Sequence, residues 1–514
     1  MGSIELHKQA QNRPYLHLSC ANQQLKTEGV ASCSLGKPIN INDGAEQADG
    51  IYLNWQWDGQ ELNASNDRYG MYPLYYAAFN GEIVISPSIF PILNTSVPKD
   101  LDYAALAILF RIGHVIGNDT PFRHIKVLPP NSRLRWREGK LEIQSTPVTS
   151  CFANNQRLSY DDAVDGYLHY FRQSVSRRLP GDERFTMPIS GGRDSRNILF
   201  ELHRQGATPQ RCVTLRYRPP ATNEDERVAR LICQRLDIVH DIIDKPENWF
   251  DAVLEDIYLT NFCGGGHSWA LPLADYFREH QVTTIYDGLA GGIISSGQTL
   301  DVNKDKLFRE ERLEELALLL LNEASFEGFN KDGLVADFYQ KIDMQLAVER
   351  LVEELKRHLN TGSPALSYTF WNRTRRAVSA IPFSIMSGVD TVHCPYLDRD
   401  FFDFCTGLDA AYILTHKFHD DVIARGYPSL ADLPYEDKSI KAQYDQEASR
   451  YYHRAVLDYS GYLLKRGMGG SALMKNRFSW SRVLNDLVRR PQDQAWYLRR
   501  CLYGYELEKL AQID

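Results

Sequence analysis

Residues 184–200 read RFTMPISGGRDSRNILF. An apolar run, Phe185 to Ile189, meets Ser190-Gly191-Gly192-Arg193-Asp194-Ser195. A helical pattern then runs over Ser195–Gln205 and is closed by Gly206. A glycine pair between a strand and a helix marks close approach to the backbone. At the C-terminal end of a strand in a parallel sheet, that approach is usually a ligand's. Consecutive N–H groups and a helix N-terminus make an anion site there, and glycine admits a phosphate. Ser190 and Ser195 add hydroxyl donors. Asp194 would repel a bare phosphate, so its presence points to a bridging divalent cation. The stretch has no lysine at the end of the loop, as GxxxxGK[ST] requires, and it does not fit GxGxxG. The competing reading is a plain strand–turn–helix, with the glycines for packing and Asp194 as a cap.

The flanking sequence favours the ligand site. RCVTLRYR reads as a strand and NEDERVARLICQRL as a helix, with Val228, Leu231, Ile232 and Leu236 on one stripe. IVHDIID and VTTIYDG are further strands. Such alternation predicts a doubly wound parallel sheet. From about residue 306 the pattern is helical. Residues 1–150 are instead β-rich. IYLNWQWDG stops at Asp58-Gly59, PLYYAAFNGEIVISPS turns at Asn80-Gly81, and NSRLRWREGKLEIQS turns at Glu138-Gly139-Lys140. DYAALAILFRIG is the main helix among them. The shift near 150 predicts two domains, 1–150 and 151–514.

The composition is that of a soluble globular protein, with 43% hydrophobic and 24% charged residues. A net charge of −8 gives no electrostatic reason for a nucleic-acid partner. No run approaches the ~20 apolar residues of a membrane span, and no secretory signal is evident. The nine cysteines are scattered without a CxxC pair. A cytoplasmic location, with buried thiols acting as small hydrophobes, is expected.

SGGRDS resembles the SGGxDS signature of the PP-loop ATP pyrophosphatases. NDRYGMYPLYY (66–76), TPFRHIKVLPPNSRLRW, NEDERVAR with LDIVHDII, and CPYLDRDFFDFC resemble, in order, stretches of the asparagine synthetase family. The resemblance implies an N-terminal Ntn-hydrolase-like αββα domain and a C-terminal synthetase domain. It implies ATP and Mg²⁺, an acyl-adenylate, and amide formation with release of AMP and pyrophosphate. The relatives include asparagine synthetase and the β-lactam, carbapenam and lasso-peptide macrolactam synthetases.

Three departures matter. Glutamine-dependent members need a cysteine at position 2, with its own α-amino group as base. This sequence begins Met1-Gly2-Ser3, and neither Cys20 nor Cys33 offers that amine. The first domain is therefore expected to be a degenerate amidotransferase, with the amine coming from the substrate. Second, the family's magnesium loop, roughly SGxGaDElfgG, is here DGLAGGIISSG, with Gly292 at the Asp position and Ile293 at the Glu position. Asp287 is the local carboxylate left. Without a cation, the phosphates and Asp194 would repel strongly in a cleft. Third, Thr391, beside Asp390, and His393 replace the Glu and Arg of vExRxPFLD, in an expected substrate wall.

The resemblance assigns Ser190, Gly191, Gly192, Arg193, Asp194, Ser195 and Gly288 to the nucleotide, and Asp194 and Asp287 to the metal. A lysine near the α-phosphate suits oxyanion stabilisation. Lys438 is preferred over Lys441, although either also reads as a surface lysine. Arg193 and Arg196 could clamp an anion, or pair with Glu224 or Asp225. His267, after three glycines, is a candidate base for the amine; a lone histidine is more often structural. Tyr286 and Tyr368 are weaker candidates. The expected function is an ATP-dependent amide-forming ligase acting on a small-molecule or peptide acid that carries an amine, without nucleic acid or membrane. A homodimer or a precursor-processing partner protein is possible in principle. The alternatives are a catalytically silent scaffold that works through a partner protein, and an ammonia-using amidating enzyme.

Overall fold

Positive backbone φ angles set the hairpins. Asn80 (φ 51°) and Gly81 (φ 79°) form a two-residue turn with both centres left-handed. Glu138 (φ 52°) and Gly139 (φ 78°) do the same, so Lys140 already belongs to the next strand. The computed structural model describes residues 13–21, 24–40, 48–146, 158–181, 183–216, 222–297, 301–415, 417–437, 439–440, 446–467, 470–489 and 496–512.

Among the described residues, ten strands precede residue 146: β1 Leu16–Ala21, β2 Gln24–Gly29, β3 Ser32–Ile39, β4 Asp49–Trp57, β5 Glu61–Asn66, β6 Tyr75–Phe79, β7 Glu82–Ser86, β8 Lys126–Val127, β9 Ser132–Arg137 and β10 Lys140–Ser145. They form two antiparallel sheets, ordered β2-β1-β7-β6-β8 and β10-β9-β5-β4-β3. The helix Tyr103–Ile112 starts where Asp102 accepts from Ala105 N–H and ends at left-handed Gly113.

The third sheet is parallel throughout. It holds β11 Thr186–Pro188, β12 Arg211–Arg216, β13 Val239–Asp244, β14 Thr284–Tyr286 and β15 Thr391–His393, ordered β13-β12-β11-β14-β15. The helix after β11 spans Arg193–Arg204 and begins two residues earlier than the apolar spacing suggests. From Val302 onward the described chain is mostly helical. A π-helical segment, Phe370–Val378, stands out, since i→i+5 backbone is rare and gathers at functional sites. The fold class is thus the mixed α/β arrangement expected, with two antiparallel sheets followed by a parallel sheet and helices. Among the described residues, no helix is long and apolar enough to cross a membrane. Cys212, Cys233, Cys263, Cys394, Cys405 and Cys501 are buried free thiols.

One buried ion cluster ties the β4 sheet to the parallel-sheet part. Arg178 follows the helix Tyr160–Ser176 and is 2% exposed. Its guanidinium donates to Asp49 at the start of β4 and, at 2.7 Å, to Asp398. Arg177 also reaches Asp398, at 3.0 Å. The two arginines hold the Asp398 carboxyl below its ordinary range against the effect of burial. Removing one member of such a cluster leaves a buried, unpaired charge, at a cost of about 3–5 kcal/mol. Arg178→Ala is therefore expected to lower unfolding free energy by about that much in urea titration. A loss below ~1 kcal/mol would show that water reaches the cluster.

Candidate active site

The strand order reverses between β11 and β14. At such a switch point a crevice opens beyond the carboxyl ends of the strands. A cavity of about 480 Å³ lies there, lined by Ser190, Gly192, Arg193, Asp194 and Ser195 from the first loop and by Asp287, Gly288 and Gly292 from the second. Val213, Leu215, Trp269, Leu273 and Met386 supply an apolar wall.

The first loop is built from its own polar groups. Ser190 Oγ accepts from Gly192 N–H at 3.2 Å and lies 3.3 Å from Ser195 Oγ. Ser195 Oγ accepts from Ser190 N–H at 3.2 Å. Gly191 N–H donates to Asp225 at 2.9 Å. A Cβ on Gly191 would sit 3.1 Å from Val228 Cβ, so this glycine serves helix packing. No side chain caps the helix Arg193–Arg204. Its free N–H groups and positive dipole end therefore face the crevice.

The second loop is shaped around Asp194. A Cβ on Gly291 would lie 2.6 Å from Asp194 Cγ, and one on Gly288 would lie 2.8 Å from Asp194 Cβ. The Gly292 N–H donates to the Asp194 carboxylate. Burial nevertheless pushes the Asp194 carboxyl up to about 7, with Asp287 adding repulsion. Burial likewise pushes Asp287 up to about 6, although it accepts from Leu289 N–H at 2.8 Å. Two buried carboxylates beside a helix N-terminus, with the Arg193 charge only partly offsetting the burial of Asp194, suit a hard divalent ion that also takes phosphate oxygens. Among the described residues, no three His, Cys, Asp or Glu side chains surround such an ion.

The other candidates fall in several places. Arg193 lines the cavity, but its guanidinium is committed to both Asp420 oxygens. Arg196 is buried, stacks 4.1 Å from the Tyr435 ring and donates to Leu433 and Pro434 carbonyls. Neither arginine pairs with Glu224 or Asp225: Glu224 binds Arg227, and Asp225 holds the loop amide. Tyr286 lines the cavity, yet its hydroxyl donates to the Arg178 carbonyl. His267 and Tyr368 line a second, adjoining cavity. The His267 ring donates to the Ala377 carbonyl, leaving its buried Nε2 without a hydrogen-bond partner. Burial keeps that ring neutral. Lys438 and Lys441 lie outside the described residues. Thr391 and His393 do not line the nucleotide-sized cavity. His393 instead packs buried against Tyr286, with ring centroids 4.9 Å apart.

Sequence reasoning missed His419. It is fully buried, 3.5 Å from Asp194 Oδ1 and 3.2 Å from Ser295 Oγ. Desolvation holds it neutral, down to about 3. It also missed Asp420 and Tyr435, more than two hundred residues from the loop they steady. No local pattern marks them.

The glutamine amidotransferase domain family matches residues 40–146, and the asparagine synthase family matches residues 166–419. Over 186 residues the chain is 25% identical to the glutamine-hydrolysing asparagine synthetase 3 of Bacillus subtilis, covering 34% of this chain and 30% of that relative. The parallel sheet and both crevice loops lie within the asparagine synthase match. The chain belongs to the asparagine synthetase-like family.

Asp194→Asn keeps the shape of the neutral carboxyl and cannot ionise. A carboxyl raised to about 7 in the folded state costs stability progressively as pH rises from its ordinary 3.8 to about 7. Without nucleotide or divalent ions, the variant is expected to melt above wild type at pH 8, with a smaller gap at pH 5. Equal gaps at both pH values in scanning calorimetry would show that Asp194 does not titrate in this window.

Proposed function

We propose that this protein is an ATP-dependent ligase that joins a carboxylic acid to an amine. The substrate carboxylate oxygen attacks the ATP α-phosphorus, expelling pyrophosphate and leaving an acyl-adenylate. An amine nitrogen then attacks the acyl carbon, AMP departs, and the amine proton passes to a base. Ser190 to Ser195 hold the phosphates with the two hydroxyls and the uncapped N–H groups that begin the helix Arg193–Arg204. Asp194 and Asp287 hold Mg²⁺, which would neutralise phosphate charge. Lys438 serves the oxyanion, and the neutral His267 Nε2 is the nearest free base on the adjoining side. The amine belongs to the acid itself, giving a lactam or isopeptide bond, as in the β-lactam and lasso-forming relatives. Cys33 fits no glutaminase role, because burial pushes its thiol up to about 11. Gly288 acts by admitting Asp194.

The observation that carries this reading is the Asp194 carboxyl, forced up to about 7 in a glycine cradle that fits no larger side chain. A bound cation relieves that cost while keeping the carboxylate charged. A second reading, a silent scaffold acting through a partner protein, draws on Gly292. That residue offers an amide where the family has a carboxylate, and Asp225 already occupies the Gly191 N–H. A third, ammonia-dependent amidation, predicts consumption of added ammonium.

Calorimetry with ATP decides between ligand site and scaffold. Binding is expected to require Mg²⁺ and to fall at least about tenfold in Asp194→Ala. At pH 6.5 it should release protons, because a cation favours the charged carboxylate; titration in buffers of different ionisation enthalpy reads this directly. Undetectable binding at millimolar ATP with Mg²⁺ would support the scaffold.

A further inference from the structure

The second cavity is larger than the first, about 700 Å³, and the two share Arg373 and Val378 as a common wall. Both shared residues sit on the π-helical segment Phe370–Val378. The second cavity's far lining is apolar and aromatic, with Phe308, Leu316 and Phe326 prominent. Three arginines reach it, and they differ. Arg500 is satisfied, lying 3.3 Å over the Phe326 ring and donating to the Phe110 carbonyl at 2.7 Å. Arg373 and Arg499 make no hydrogen bond or ion pair with any described residue. A guanidinium has five donors and cannot shed its charge. Glu323 acts electrostatically on Arg373, and Asp256 on Arg499, without a hydrogen bond or ion pair to either, so both guanidiniums keep donors open to an anionic oxygen.

We propose that this chamber takes the acid substrate, and that the acid has a bulky apolar or aromatic body. Its carboxylate meets Arg373 at the neck, within reach of the nucleotide crevice, and its body fills the space toward Phe308, Leu316 and Phe326. The inference rests on the ligase reading and adds the substrate class. A four-carbon amino acid leaves most of such a chamber empty, whereas about 300–1,000 Å³ is the range that encloses a drug-sized ligand. An apolar wall discriminates by burying hydrocarbon, while the arginine fixes the acid end. Arg499, in the same lining, takes a second polar group of the same molecule.

The test is direct binding and needs no turnover. Calorimetry is run with Mg²⁺ and a non-hydrolysable ATP analogue, using 4-phenylbutyrate, 4-phenylbutyramide and L-aspartate as probes. 4-Phenylbutyrate is expected to bind about tenfold or more tightly than either other probe. Leu320→Trp, which narrows this chamber and not the nucleotide crevice, should abolish acid binding and leave nucleotide binding unchanged. Arg373→Gln should bring 4-phenylbutyrate down to the level of its amide. Equal or tighter binding of aspartate overturns the proposal, as does acid binding indifferent to Leu320→Trp. Absence of acid binding while the ATP analogue still binds overturns it too. Failure of the ATP analogue to bind in wild type sinks the ligase reading itself, a separate result.

Discussion

Arg375 is the pin on which the site depends. It is 5% exposed, on the π-helical segment that walls both cavities. Its guanidinium donates to the carbonyls of Gly117 and Leu128 and to the Asn118 side chain, at 2.8–3.3 Å. None of these acceptors is charged, and burial pulls the group down to about 9. Arg376 adds a bond to the Asp119 carbonyl, and Asn372 accepts from Gly117 N–H. Hydrogen bonds to a charged donor are worth roughly 1.5–3 kcal/mol each, and losing them strands a buried charge. The N-terminal part thus grips the segment that presents Arg373 and Val378. Whatever chemistry its own sheets carry, it has a mechanical task in shaping both cavities.

The crevice shows a trade between side chains and space. Asp194 can enter the second loop only because Gly288 and Gly291 lack a Cβ. Its position is then held from behind by a buried polar ring. Tyr396 donates to the Asp194 carbonyl, and Asn197 bonds both Tyr396 and Tyr167. A neutral His419 adds no positive charge there. The carboxylate is fixed in place, with the Gly292 N–H and the Arg193 charge only partly offsetting its burial.

Some residues that resemble catalytic motifs do structural work. Asp398 of the CPYLD stretch caps the helix Arg399–Thr406 and pairs with Arg177 and Arg178. Arg196, two positions past Asp194, braces residues 433–435 by stacking and backbone bonds. That brace lies just ahead of Lys438. Motif position alone does not separate a ligand contact from the bolt that holds it.

Much was legible from local pattern, because local physics sets it. Hairpins followed from residues that tolerate positive φ, strands and helices from periodicity, and the crevice from a glycine loop between β11 and its helix. The ordered stretches from residue 66 to the CPYLD segment identified the family. Other features needed the tertiary structure. The partners of Arg193 and Arg196, the neutral His419 beside Asp194, the separation of His267 from the loop 190–195, and the arginine-lined second chamber all join residues far apart in the chain. The replacement His393 proved to be a packed ring behind β14. A side chain's charge state and target depend on which distant groups exclude water from it, and no single stretch of sequence carries that information.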